Sequence, residues 1–184
     1  CRALLKFVLA KHSQSEVSKI TLDYLGNKKP YLPSHPALCF NVTHSEDYAL
    51  IAIANSAIGV DIEYITKNDA LINTVTHIFN DQEVAFIQNA MDKNDAFYML
   101  WTRKEAFVKA LGKGIDDDIS KIPSLNGFHS IDPAITNTEN SWQLQGFDID
   151  EHYTGAVAYE AQTAVSKNIM VSALPNNIKD LLEL

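Results

Sequence analysis

Apolar residues recur every three to four positions in three stretches of the chain, and this spacing is typical of amphipathic helices. The strongest pattern covers residues 95–111, where Gly112 or Gly114 can end the helix with a left-handed cap. Weaker patterns predict a helix over residues 2–9 and another, capped by Asn80 or Asp81, up to about residue 90. We therefore expect the longest helix near the middle of the chain.

Six apolar runs outside these helices predict strands, in two groups of three. Each half of the chain thus runs helix, proline-containing loop and three strands, which predicts an α+β fold of two similar halves. Short connections in the first group favour an antiparallel meander, and the interface between the halves is the natural place for a ligand. The predicted strands cover residues 38–43, 48–54, 58–62, 141–148, 154–160 and 169–173.

Composition and charge narrow the class of protein. Cys1 and Cys39 are too few for a disulfide framework and we find no secretory signal pattern, so a reducing, cytoplasmic setting is expected. No apolar run is long enough to span a membrane. The net charge of −8 argues against nonspecific nucleic-acid binding. Because the chain starts with Cys1 inside an amphipathic pattern, we expect natural N-terminal residues to precede it.

Two short segments carry charged residues at spacings that suit a site for a metal ion and a polyphosphate. Asp61 and Glu63 are two positions apart in a predicted strand, so both point to one face, where Mg²⁺ would separate their charges. Glu105 and Lys109 form an i,i+4 pair on the long predicted helix, one turn after Trp101. Taken alone, the first pair also fits an exposed polar strand face, and the second fits an ordinary surface ion pair.

Positive charge is concentrated on the long helix although the chain as a whole is acidic. Such a local cluster can attract an anion, because charges beyond about 8–10 Å are screened at physiological salt. The clustered cations are Arg103, Lys104, Lys109 and Lys113.

Thr43 and His44 end a predicted strand and could contact a ligand phosphate, although such residues also form turns. The sequence has no nucleophilic triad, zinc-ligand spacing, P-loop or dinucleotide fingerprint. Spacing alone therefore indicates an acidic metal site near cations and does not name a reaction.

Taken together, these segments resemble the 4′-phosphopantetheinyl transferase superfamily, specifically its surfactin-synthetase-activating (Sfp) type. The resemblance covers residues 2–159 and implies two α/β halves related by pseudo-twofold symmetry, each a helix packed on a small antiparallel sheet. We expect the halves at residues 1–58, truncated at its start, and 59–184, with the active site at their interface. The matching segments are Lys29-Pro30, Phe40-Asn41-Val42-Thr43-His44-Ser45, Ile58-Gly59-Val60-Asp61-Ile62-Glu63, and Leu100-Trp101-Thr102-Arg103-Lys104-Glu105-Ala106-Phe107-Val108-Lys109 with Gly112-Lys113-Gly114.

The resemblance also implies a reaction, in which 4′-phosphopantetheine passes from coenzyme A to a serine of an acyl or peptidyl carrier protein and 3′,5′-ADP is released. By similarity, Asp61, Glu63 and Glu105 would hold Mg²⁺, with Mn²⁺ as an alternative. Lys109 would contact the pyrophosphate and aid departure of the nucleotide, and Glu105 is the candidate general base. The other residues expected to bind the cofactor are Arg2, Lys29, Thr43, His44 and Lys104.

Two other functions fit parts of the pattern. A non-catalytic module that binds coenzyme A or a carrier protein would bind without transfer, and an unrelated metal-dependent phosphohydrolase would release its product to water. The complete set of Asp61, Glu63, Glu105 and Lys109 favours the transferase. We expect a monomer that contacts neither nucleic acid nor membrane, and the sequence leaves open whether its carrier serves fatty-acid, polyketide or nonribosomal-peptide synthesis.

Overall fold

A computed structural model describes residues 2–26, 29–68, 75–112, 119–161 and 169–175 of the chain. The long helix predicted over residues 95–111 is present at Lys93–Leu111, and the N-terminal helix extends to Ser13. The helices are α1 (Arg2–Ser13), α2 (Val75–Ile78), α3 (Asp81–Asn89), α4 (Lys93–Leu111) and α5 (Pro133–Thr136), with short 3₁₀ turns at Val17–Lys19 and Ile119–Lys121. The strands are β1 (Asp23–Tyr24), β2 (Pro30–Tyr31), β3 (Cys39–Ser45), β4 (Tyr48–Ala54), β5 (Ile58–Tyr64), β6 (Gly127–Ser130), β7 (Ser141–Asp150) and β8 (Tyr153–Ala161).

The strands form antiparallel sheets, and the α+β prediction is confirmed. β1 pairs with β2, β3 pairs with β4, and a larger sheet has the order β5-β8-β7-β6. The predicted meander is correct for the β3–β4 hairpin but wrong for β5, which pairs along its whole length with β8. Long-range pairing with a strand near the end of the chain therefore overrides the short connection between β4 and β5.

The last predicted strand, at residues 169–173, is also wrong. This segment is irregular and exposed, with Met170 almost fully accessible, so no neighbouring strand covers its apolar residues. The fourth strand of the larger sheet is instead β6, which has four residues and begins at a glycine. A strand that short carries too little alternation to be recognised from its sequence.

The β3–β4 hairpin and the four-stranded sheet each pack against a helix. Leu5 and Leu9 of α1 are buried against Phe40 on β3 and Ile20 in the preceding loop. On the other side of the molecule, α4 packs its small and aromatic residues onto β7 and β8, where alanines let the helix approach closely. The buried residues of this second core include Ala106, Phe107, Val108, Ala110, Trp142, Leu144, Ala156 and Ala158.

Capping residues define the start of α3 and both ends of α4. Asn80 caps α3, since its side chain accepts from the backbone N–H groups of Gln82 and Glu83 while Glu83 accepts from the N–H of Asn80. Asp92 caps α4, and Gly112 ends it in the left-handed conformation, with φ of 68°. The prediction of a left-handed cap at Gly112 is confirmed, whereas Gly114 lies outside the described residues.

Side chains of β3 join the hairpin to β5 without a backbone ladder. The Asn41 side-chain oxygen accepts from the Val60 N–H at 2.8 Å, and the Ser45 hydroxyl accepts from the Tyr64 N–H at 3.0 Å. Between them, Thr43 donates to the carboxylate of Asp61. Asn41 and Ser45 of β3 thus accept hydrogen bonds from backbone N–H groups on the edge of β5 that does not pair with β8.

Candidate active site

A glycine in β5 allows the long helix to lie directly against the strand. A methyl group at Gly59 would come within 2.1 Å of the Ala106 carbonyl oxygen and 2.2 Å of the Ala110 nitrogen. Because alternate residues of a strand point to the same side, Asp61 and Glu63 face α4 as Gly59 does. The close contact at Gly59 therefore carries both carboxylates to the surface of the helix.

One stripe of residues on α4 faces these carboxylates and is partly exposed. Trp101, Glu105 and Lys109, spaced four residues apart, are half-buried, whereas every other residue from 102 to 110 is buried. The indole of Trp101 donates a hydrogen bond to Glu63, and Lys109 Nζ lies 2.5 Å from Asp61 Oδ1. The helix stripe and the strand face thus form the two walls of one site.

The three carboxylates are close enough to repel one another. The pKa of Glu63 is raised to about 7, mainly by burial and then by the negative charge of Asp61, with a smaller effect of Glu105, while Lys109 and Trp101 oppose the rise. Burial is also the main reason that the pKa of Glu105 is raised, followed by the charge of Asp61. Desolvation raises the pKa of Asp61, although Lys109 and Thr43 favour its ionised form. Among the described residues, the site therefore concentrates more negative charge than Lys109 neutralises.

Two carboxylate oxygens in this site are left without protein partners. Asp61 Oδ1 accepts from Thr43 Oγ1 at 2.9 Å and from Lys109, which also donates to Thr43 Oγ1 at 3.2 Å. In contrast, Asp61 Oδ2 and Glu105 Oε1 are buried and accept no hydrogen bond within the described residues. Buried polar atoms are normally satisfied, so these two oxygens are suited to an additional ligand.

A divalent cation fits this set of donors. Hard cations such as Mg²⁺ prefer carboxylate oxygens, and they bind through one or two carboxylates while keeping waters and substrate phosphates as other ligands. In the described part of the chain, no group of three or more His, Cys, Asp or Glu side chains is already arranged to hold a metal. The two unpartnered oxygens are nevertheless suited to Mg²⁺, because this ion does not require a complete cage of protein ligands.

Comparison with known proteins decides the family. The family model of the 4′-phosphopantetheinyl transferase superfamily matches residues 57–165, which include both walls of the site. The chain belongs to this superfamily. It is 30% identical to the 4′-phosphopantetheinyl transferase HetI of Nostoc sp. over 167 residues, covering 85% of this chain and 68% of that protein.

Further relatives are enzymes of the Sfp type. The chain is 27% identical to the 4′-phosphopantetheinyl transferase psf-1 of Bacillus pumilus, covering 98% of this chain and 79% of that protein. It is 28% identical to the 4′-phosphopantetheinyl transferase Sfp of Bacillus subtilis, covering 84% and 69%. A crystal structure of holo-[acyl-carrier-protein] synthase from Neisseria meningitidis aligns with a TM-score of 0.43 and 20% identity, over 57% of this chain and 97% of that one. The predicted enzyme class, a phosphopantetheinyl transferase, is confirmed.

The transferase uses Lys104 differently from the expectation that it binds the cofactor. Lys104 is completely buried on the side of α4 away from Glu105, where its ammonium lies 2.9 Å from Glu83 Oε2. It also donates to the carbonyl oxygens of Ile119 and Ile122, so its three N–H bonds are all engaged. A lysine with these partners supports the interior of the fold, and its ammonium has no N–H bond left for a nucleotide.

Lys29 likewise contacts backbone groups of the fold. Its ammonium donates to the carbonyl oxygens of Ile58, Lys109 and Ala110 at 3.0, 2.6 and 3.2 Å. These hydrogen bonds engage carbonyl groups at the C-terminal end of α4, which lack helical partners. Burial lowers the pKa of Lys29 to about 8. The structure thus connects Lys29 to the backbone that carries Lys109 and gives its side chain a role other than direct cofactor binding.

The remaining predicted residues are not brought together in one cluster. His44 is exposed, and it points to the opposite face of β3 from the buried Thr43. Arg2 is exposed at the start of α1, and none of the contacts among the described residues joins it to the carboxylates. Lys113 lies outside the described residues. The structure therefore brings the predicted metal and pyrophosphate residues together, and Thr43 is a predicted nucleotide residue that contacts two of them.

Three residues of the site have roles that the sequence analysis did not assign. Trp101 donates to Glu63, Asn41 holds the edge of β5, and Gly59 permits the contact between β5 and α4. The role of Gly59 could have been predicted from the sequence, because a glycine inside a strand often marks a place where another backbone segment approaches closely. The role of Asn41 depends on a neighbouring strand from another sheet, so no local pattern reveals it.

Among the described residues, no helix is long and apolar enough to cross a membrane.

Proposed function

We propose that the site between β5 and α4 transfers 4′-phosphopantetheine from coenzyme A to a serine of an acyl or peptidyl carrier protein. The observation that supports this most directly is the meeting of Asp61, Glu63 and Glu105 around Lys109, with two buried carboxylate oxygens unpartnered. The division into halves at residues 1–58 and 59–184 remains part of this proposal, with the substrates entering between them.

In the proposed reaction, the serine oxygen bonds to the β-phosphorus of coenzyme A. The bond from that phosphorus to the bridging oxygen breaks, and the oxygen leaves as part of 3′,5′-ADP. Mg²⁺, held by Asp61, Glu63 and Glu105, would supply positive charge that offsets charge on the phosphoryl oxygens. These three side chains are the oxygen ligands that the site provides.

Lys109 is the residue that can bind the pyrophosphate directly. Its side chain is 30% exposed, and its ammonium donates to Asp61 and Thr43, which leaves one of its three N–H bonds for an anion. A positively charged group fixed before the reaction stabilises negative charge as it develops on the departing phosphate. Glu105 is the proposed acceptor of the serine proton, either directly or through a water.

The mass of an apo carrier protein tests this function. Incubation with coenzyme A, Mg²⁺ and the protein should add the mass of one phosphopantetheine group, and a carrier whose acceptor serine is alanine should gain nothing. Chelation of the metal should stop the gain, and replacement with Mn²⁺ tests the alternative cation. Binding of coenzyme A without any mass gain across a panel of carriers would support the non-catalytic module instead, and hydrolysis without a carrier would support a phosphohydrolase.

A further inference from the structure

The two oxygens of the Asp61 carboxylate lie in different surroundings. Oδ1 accepts from the Thr43 hydroxyl at 2.9 Å and from the Lys109 ammonium at 2.5 Å. Oδ2 is equally buried but accepts no hydrogen bond among the described residues. Thr43 and Lys109 therefore hold the carboxylate through Oδ1, the backbone N–H of Ile62 also favours its ionised form, and Oδ2 is left open to a ligand.

Thr43 is the uncharged residue in this arrangement, and its hydroxyl both donates and accepts a hydrogen bond. It donates to Asp61 and accepts from Lys109 at 3.2 Å, and the residue is only 6% exposed. Thr43 thus contacts the proposed metal ligand and the proposed pyrophosphate ligand at once. A hydroxyl with these two partners has no donor hydrogen left for a nucleotide phosphate.

We propose that Thr43 is a positioning residue, which fixes the rotation of the Asp61 carboxylate and thereby keeps Oδ2 available to the divalent cation. This inference rests on the proposed function of the site. It assigns to Thr43 a role toward the metal in place of the expected contact with the nucleotide. Its physical basis is that hydrogen bonds behind a metal ligand orient that ligand, and their loss typically costs about 10–100-fold in metal affinity or activity.

The chain offers variants that separate the hydroxyl from the shape of the side chain. Thr43→Val keeps a β-branched side chain but removes the hydroxyl, and Thr43→Ser keeps the hydroxyl. Ser45→Ala is a matched control, because Ser45 joins the same two strands through the Tyr64 N–H and, within the described part of the chain, its hydroxyl bonds to no carboxylate. If Thr43→Val does not fold, which circular dichroism would reveal, Thr43→Ala provides a second variant without the hydroxyl.

The test measures metal binding before it measures activity. Binding of Mn²⁺ to the protein without coenzyme A is followed by the electron paramagnetic resonance signal of the free ion. Thr43→Val should weaken Mn²⁺ binding by about 10–100-fold, whereas Thr43→Ser and Ser45→Ala should bind nearly as the natural sequence does. In transfer assays, Thr43→Val should need more metal but show an unchanged KM for coenzyme A.

Other outcomes would overturn the inference. Unchanged Mn²⁺ affinity with a raised KM for coenzyme A would make Thr43 a nucleotide ligand. Equal loss of Mn²⁺ affinity in Ser45→Ala would mean that any loosening between β3 and β5 disturbs the site. If the natural sequence transfers no phosphopantetheine yet Thr43→Val loses Mn²⁺ affinity, the proposed function fails while the role of Thr43 toward the metal stands.

Discussion

Glu105 illustrates how a residue that a site requires can weaken the fold that carries it. Its carboxylate is partly buried near Asp61, and one of its oxygens accepts no hydrogen bond in the described structure. Without a cation, burial and like charge both disfavour the ionised side chain. The proposed metal offsets this cost, so the stability of the protein and the occupancy of the site should be linked.

We predict that Glu105→Gln makes the metal-free protein more stable. Removing one negative charge relieves repulsion with Asp61, and a chain of this length gains roughly 2–4 °C in Tm for each kcal/mol. Differential scanning calorimetry in chelator should show the increase. Addition of Mg²⁺ should stabilise the natural sequence but leave the variant almost unchanged. A variant that melts below the natural sequence in chelator would contradict this assignment of the charges.

Lys29 leads to a prediction about pH. Its pKa is lowered to about 8 in the folded protein, below the ordinary value of 10.5, because the ammonium is buried. Between these values the unfolded chain binds more protons, so the contribution of Lys29 to stability rises with pH and is lost as pH falls through 8. The free energy of unfolding of the natural sequence, minus that of Lys29→Met, should therefore increase from pH 8 towards pH 10.5 in urea titrations. A difference that is constant with pH would show that burial does not shift the pKa of this lysine.

At the scale of elements, the contact between β5 and α4 determines the site. We predict that Gly59→Ala destabilises the protein by at least about 1–3 kcal/mol and removes transfer activity, because the new methyl group would meet backbone atoms of α4. Gly26→Ala is the control, since no described residue beyond its chain neighbours comes within 4 Å of the methyl group it would add. Chemical denaturation and the transfer assay test both variants. A Gly59→Ala protein of normal stability would mean that strand and helix separate easily.

The buried ion pair behind α4 leads to a prediction about coupling. Glu83 binds Lys104 and also accepts from the backbone and hydroxyl of Ser124, so it connects α3, α4 and the loop after α4. Lys104→Met alone or Glu83→Gln alone should cost about 3–5 kcal/mol, because each leaves a buried group without its charged partner. The double variant should cost less than the sum of the two in a double-mutant cycle. Strict additivity in urea denaturation would show that the two side chains act independently.

These elements also show what could be predicted from the sequence. The α4 helix, its Gly112 cap and the shared direction of Asp61 and Glu63 follow from local spacing, and all lie close to their predicted places. The burial of Lys104 could not be predicted, because its spacing on the helix does not distinguish it from Lys109 and only Glu83, from another helix, makes burial possible. The pairing of β5 with β8 likewise depends on residues almost a hundred positions apart.

At the scale of the whole molecule, the net charge of −8 bears on partner binding. Carrier proteins of this system are expected to be acidic, so long-range attraction between them and this chain should be weak. We predict that kcat/KM for the carrier changes only slightly as salt is raised over the physiological range, because docking depends on apolar contacts and a few local cations. Initial rates at several salt concentrations, with coenzyme A saturating, test this. A steep fall in rate with modest salt would indicate charge steering instead.

We propose that residues from β5 and α4 act together in metal-dependent transfer. Single-turnover transfer to an apo carrier, followed by intact mass as Mg²⁺ is varied, tests this for the natural sequence, Asp61→Ala and Glu105→Gln. We predict a mass gain of one phosphopantetheine group that depends on Mg²⁺ in the natural sequence and nearly disappears in both variants. Transfer by both variants at the natural rate, with both proteins folded, would contradict the assignment of this site.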